Sequence, residues 1–109
     1  VRWYGRLRRS SEIAFVRRRG RHANLETLTA HAAAETRGAT RVGVAVSKAV
    51  GGAVVRNLVR RRIRGALDAL PVPIPGLRVL FVAKPAAATA TYERLAADVA
   101  SALGRLAAP

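Results

Sequence analysis

The sequence has no cysteine, no methionine and only six carboxylates in 109 residues. Without cysteine there is no disulfide scaffold, no thiol nucleophile and no thiolate-held zinc. The carboxylates (Glu12, Glu26, Glu35, Asp68, Glu93 and Asp98) are scattered, and no two stand at the spacing of a metal pair or an acid–base dyad. Histidine is equally scarce: His22 and His31 lack the helical ligand spacing of a zinc site, and no Ser-His-Asp set is visible. No apolar run approaches the ~20 residues of a membrane span. The N-terminal VRWYGRLRRS has basic residues but no apolar stretch behind them, unlike a secretory signal. These absences predict a cytoplasmic protein, not bound to a membrane and without a protein-borne active site.

What is abundant is positive charge. Twenty Lys and Arg against six Asp and Glu give a formal charge of +14. Such a field attracts polyanions and destabilises the compact state when no partner is present. Half the residues are apolar, enough for one modest core, and 109 residues suit one domain.

The charge concentrates in the stretch from Arg41 to Leu70, where a Gly51-Gly52 turn leads into a helical pattern with five arginines between Arg56 and Arg64. At about 100° per residue, Val55, Val59, Ile63, Ala66 and Leu70 form one stripe, and Asn57, Arg60, Arg61 and Arg64 lie roughly opposite. Only Asp68 is acidic in this helix. Like charges four apart destabilise a helix, so the counter-charge is expected from outside. A guanidinium fork matches phosphate oxygens, which makes a polyanion the expected partner; the plainer alternative is a solvated basic face. The two glycines precede a helix as in a phosphate loop, but the lysine and spacing of such a loop are missing.

The remaining segments predict an α+β domain with a small mixed sheet. Ser10 or Ser11 caps a first helix that ends at Gly20, with Ile13 and Val16 inward and Arg17, Arg18 and Arg19 at its C-terminal end. Residues 23–33 read as one strand, with Leu28 and Ala30 on one face and Thr27, Thr29 and His31 on the other. Arg41 to Ser47 alternates: Val42, Val44 and Val46 pack, while Gly43, Ala45 and Ser47 leave a bare face for the first helix or a ligand. Pro71, Pro73, Pro75 and Gly76 form a stiff loop, Leu77 to Ala83 a buried central strand, and Thr91 caps a last helix. The order is helix, strand, strand, helix, strand, helix, with a further strand as an option within residues 22–47. Residues 1–9 form a basic arm whose Trp3 and Tyr4 either stack on bases or anchor it to the core.

The run RVGVAVSKAVGGAVVRNLVRRRIRGAL, Arg41 to Leu67, resembles the signature of the bacterial ribonuclease P protein component. That signature is an R-x-G-x-x-V-S-K strand end, a glycine turn, then A-V-x-R-N-x-x-K/R-R-x-x-R on a helix. RLRRSSEIAFVRRRG (Arg6 to Gly20) is similar to the family's first helix, and AKPAAATATYERL (Ala83 to Leu95) to its last strand and following helix. The resemblance implies one RNA-binding domain over residues 1–109, with an uncommon left-handed β-α-β crossover through the basic helix. It implies that the catalyst is ribonuclease P RNA, cleaving precursor tRNA with magnesium that the RNA binds and the protein alone does not. It implies RNA-subunit contacts at Lys48, Arg56, Asn57, Arg60, Arg61 and Arg64, and a groove for the 5′ leader between the first helix and the sheet.

Three positions depart from the family pattern. Leu58 stands where an arginine is usual and Gly52 where an asparagine is usual. Ile13, Arg17 and His31 stand where the leader groove usually offers aromatics, so leader recognition is expected to lean on charge. The alternative function is a non-catalytic basic RNA-binding protein of ribosomal or RNA-chaperone type. A double-stranded DNA binder would need polar readers at a helix tip, and Asn57 is the one candidate.

Overall fold

The two clearest strand signals, the alternating stretch at Arg41 and the apolar run at Leu77, become neighbouring parallel strands inside one sheet. The computed structural model describes residues 3–36, 38–70, 74 and 76–107. Its elements are β1 (Gly5–Arg6), α1 (Ser10–Arg19), β2 (Arg21–Asn24), β3 (Leu28–Ala34), β4 (Arg41–Ala45), α2 (Ala53–Asp68), β5 (Leu77–Ala83), a 3-10 turn (Pro85–Ala88) and α3 (Tyr92–Ala107). The sheet order is β1-β4-β5-β3-β2. β1 and β4, and β4 and β5, run parallel; β5 with β3, and β3 with β2, run antiparallel. The domain is α+β with a mixed sheet, as its pattern predicts.

The period of two along each strand divides the side chains between two layers. Leu77, Val79, Phe81 and Ala83 of β5, with Leu28, Ala30 and Ala32 of β3, meet Val59, Ile63, Ala66 and Leu67 of α2. Leu95, Val99, Ala102, Leu103 and Leu106 of α3 complete this main core. On the other face Leu80 packs with Leu7 and Val16, flanked by Ile13, Ala33, Ala45 and Val82. The bare face of β4 is therefore covered by α1 and the segment leading into it. A Cβ at Gly43 would stand 3.3 Å from the Leu7 carbonyl oxygen.

The single strand expected over residues 23–33 is a hairpin instead. β2 pairs with β3 from Arg21↔Ala32 to Asn24↔Thr29, and the Leu25 N–H donates to the Leu28 carbonyl at 2.8 Å. Thr27, expected within the strand on the face opposite Leu28 and Ala30, is fully buried in the link. Its N–H and hydroxyl both donate to Asp98 Oδ2 of α3, at 3.0 and 2.7 Å. That carboxylate lies far away in sequence, which is why local pattern could not place the turn.

Helix ends differ in detail. Ser10 is already the first residue of α1, Arg9 flanks it, and no side chain caps it. Gly20 does end α1, with φ −74°, so the glycine is not there for a left-handed turn. The reason is close approach: a Cβ would sit 2.6 Å from the Ala32 carbonyl oxygen. Thr91 caps α3 as expected, accepting from the Arg94 N–H at 3.1 Å. The basic arm is anchored. Trp3 Nε1–H donates to the Leu67 carbonyl at 3.0 Å, the Tyr4 hydroxyl donates to Asp68 Oδ1 at 3.2 Å, and β1 adds to the sheet. Residues 1 and 2 of that arm, and Pro71, Pro73 and Pro75 of the expected stiff loop, lie outside the described residues.

Candidate nucleic-acid interface

α2 begins at Ala53, after Gly52, whose extended backbone flanks the helix and whose carbonyl accepts from the Arg56 N–H at 2.9 Å. The helix buries Val59, Ile63, Ala66 and Leu67, with Val55 and Leu70 half-buried beside them. That burial fixes which side chains must face out. Asn57 and Arg61 are exposed, and Arg60 reaches across one turn to donate to Asn57 Oδ1 at 3.0 Å. With Val54, which is 83 % exposed, these three line a shallow hollow of about 530 Å³. Lys48 is exposed in the turn before the helix.

The other two expected RNA contacts, Arg56 and Arg64, have different surroundings. Arg56 is half-buried, and its Nε has no hydrogen-bond partner among the described residues. Arg64 is half-buried too and turns toward α1, lining a hollow of about 250 Å³ with Arg6, Ile13, Gly43, Ala45 and Leu80. Arg62, which shares the basic run, braces the fold by donating to the Ala90 carbonyl at 3.1 Å. The structure thus brings Asn57, Arg60 and Arg61 together on one surface and sends Arg64 to the α1 side.

Ile13 and Arg17 lie one turn apart on the same flank of α1, and His31 stands on the α1-facing side of β3. The His22 and His31 rings pair across β2 and β3 with centroids 6.1 Å apart. Burial first, then the charges of Arg17 and His22, hold the His31 pKa below its ordinary 6.5. At neutral pH the imidazole is therefore uncharged, and the exposed Arg17 supplies the positive charge on this flank. The opposite flank carries Phe15 and Arg19. Phe15 is 46 % exposed, and the Arg78 guanidinium carbon lies 5.0 Å from its ring centroid.

At the N-terminal end of α1, Arg41 grips two carboxylates. It donates to both oxygens of Glu12, one at 3.1 Å, and from Nε to Glu35 at 2.8 Å; Arg78 stands 3.7 Å from Glu12. Arg9, Arg41, Arg78, Glu12 and Glu35 line an open cleft of about 660 Å³ there. Pattern reading missed this brace, although an arginine inside the apolar run of β5 was a visible signal. The Arg41 hydrogen bonds are the main cause holding Glu12 below the ordinary 4.5, against opposing burial, with the charges of Arg41, Arg78 and Arg9 adding to them. A carboxylate depressed in the folded state stabilises fully above its unfolded pKa and loses that effect as pH falls through the folded one. Thermal melts taken from about pH 5.5 down to 3 should therefore fall more steeply for the parent than for Glu12→Gln. Parallel curves would show that the brace contributes no net stability.

Among the described residues no group of three or more His, Asp or Glu side chains could hold a metal ion, and no helix is long and apolar enough to cross a membrane. The profile of the family described as Ribonuclease P matches residues 4–107. The chain is 45 % identical over 114 residues to the ribonuclease P protein component of Streptomyces bikiniensis, covering 93 % of this chain and 90 % of that one. Identity to the counterpart from Beutenbergia cavernae is 46 % over 103 residues, covering 93 % and 87 %. In fold it is similar to the RNase P protein of Staphylococcus aureus, with TM-score 0.84 at 20 % identity over 92 % of this chain and 93 % of that one. The Thermotoga maritima RNase P protein gives TM-score 0.78 at 17 % identity, over 94 % of each chain.

Proposed function

Because this chain belongs to the ribonuclease P protein family, we propose that it is the subunit that binds the catalytic RNA and the 5′ leader of precursor tRNA, promoting endonucleolytic maturation of the 5′ end. The observation that carries this reading is the outer face of α2. Asn57, Arg60 and Arg61 share a surface that carries no acid of the helix among the described residues, since its one carboxylate, Asp68, accepts from Tyr4 at the far end. Such a face is poised to neutralise phosphates of the RNA subunit.

Arg64 and Arg6 line the hollow beside Ile13, next to the flank of α1 that carries Arg17, whose charge acts on His31. A leader strand lying there would find guanidinium groups and a neutral imidazole, and its binding would be strongly salt-dependent. In this proposal magnesium would be held by the RNA, where it would supply the activation of water, and no residue of this chain would ligate it. The protein's part is to hold the two RNAs in register and offset their repulsion, in the cytoplasm where precursor tRNA is made. The test is reconstitution with bacterial ribonuclease P RNA and measurement of precursor-tRNA cleavage at low magnesium. Stimulation relative to RNA alone is expected. RNA binding without stimulation would instead favour a non-catalytic RNA-binding protein.

A further inference from the structure

Phe15 is more exposed than any other aromatic side chain among the described residues, and it lies on the flank of α1 turned away from Ile13 and Arg17. A single exposed aromatic on a helix is ordinary. This one is held in place. Arg78 lies against the ring, and Arg78 is itself fixed, donating from Nε to the Ala34 carbonyl at 3.1 Å with Nη1 3.7 Å from the Glu12 carboxylate. Arg18 and Arg19 follow one turn later on the same side of the helix, exposed and without an acidic partner among the described residues. Glu12, one turn earlier on α1, is occupied by Arg41.

An aromatic ring braced by Arg78, with the exposed guanidinium groups of Arg18 and Arg19 one turn on, fits one chemistry well: a flat base joined to phosphates. An apolar protein partner would have to desolvate Arg18 and Arg19 without compensation, and a free phosphate would leave the ring unused. We propose that Phe15, seated on Arg78, is a stacking platform for one unpaired nucleotide of single-stranded RNA, with Arg18 and Arg19 meeting the flanking phosphates. The contact is separate from the groove at Ile13 and Arg17. It rests on the subunit reading only for the source of that nucleotide, either the precursor leader or an unpaired residue of the RNA subunit.

The test begins with the protein alone and two probes, a short single-stranded RNA and an abasic ribose-phosphate oligomer of equal length. Phe15→Leu should weaken binding of the base-bearing RNA about 5-fold or more, leave the abasic oligomer unaffected and leave the salt slope unchanged. Phe15→Tyr should retain the parent's affinity. Arg17→Ala should behave oppositely, flattening the slope by ~0.7 for a single-strand contact. Because Phe15 is exposed, matching thermal melts will show that the variants are folded. With the RNA subunit added, a loss confined to precursors with long leaders assigns the nucleotide to the leader, and a loss in RNA-subunit affinity assigns it to that RNA. Parent-like binding of both oligomers by Phe15→Leu would overturn the proposal. So would a Phe15 effect seen with anionic phospholipid vesicles but not with RNA. Either result would leave low-magnesium stimulation of cleavage, and hence the subunit reading, intact.

Discussion

Replacing Val59 with aspartate is expected to abolish cooperative thermal unfolding. Val59 is 2 % exposed and sits in the main core with Ile63, Leu67 and the apolar stripe of α3. An ionised carboxylate there has no partner, and its burial costs several kcal/mol in a domain whose whole margin is roughly 5–15. The high net charge of +14 leaves little reserve while no polyanion is bound. Asn57→Asp, two residues earlier on the exposed face, is the control and should unfold cooperatively. Circular dichroism melts of the pair decide the matter. A Val59→Asp protein that melts like the parent would mean that the inner face of α2 has been assigned wrongly.

The second large effect is on affinity. Changing Arg60 and Arg61 together to alanine should leave the melt nearly unchanged, since neither side chain is buried in the core. Two lost phosphate contacts should flatten the plot of log affinity against log salt by ~1.4 to 1.8. If the electrostatic part vanishes near 1 M, that is roughly 25- to 60-fold weaker binding to the RNA subunit at 0.1 M salt. Arg64 is left out because it faces the hollow beside Ile13 and Leu80, where its loss would mix packing with charge. Unchanged slope and affinity would reduce this face to a solvated surface.

Period and charge carried much of the fold. The stripe of α2 through Val59, Ile63 and Ala66 was legible because one continuous helix buries it against one sheet. β5 was legible because both its faces are covered, which calls for a run that is apolar at every position but Arg78. What was not legible depends on partners distant in sequence. The turn between β2 and β3 is fixed by Asp98, and the arm is fixed by Leu67 and Asp68. At the site, spacing found the outward cations of α2 but could not show that Arg64 swings toward α1. Nor could helical spacing alone reveal what Phe15 rests on, since Arg78 belongs to β5, distant in sequence from α1.

The strand in the middle of the sheet is the last one to be synthesised. With order β1-β4-β5-β3-β2, the pair β1–β4 and the hairpin β2–β3 share no ladder until Leu77–Ala83 enters between them. On the ribosome, everything before that strand is two unjoined fragments, each with an open edge and an uncovered apolar face. α3, which completes the main core, emerges later still. Growth of the sheet strand by strand in chain order is therefore closed to this topology, and its two halves join only once residues 77–83 are available.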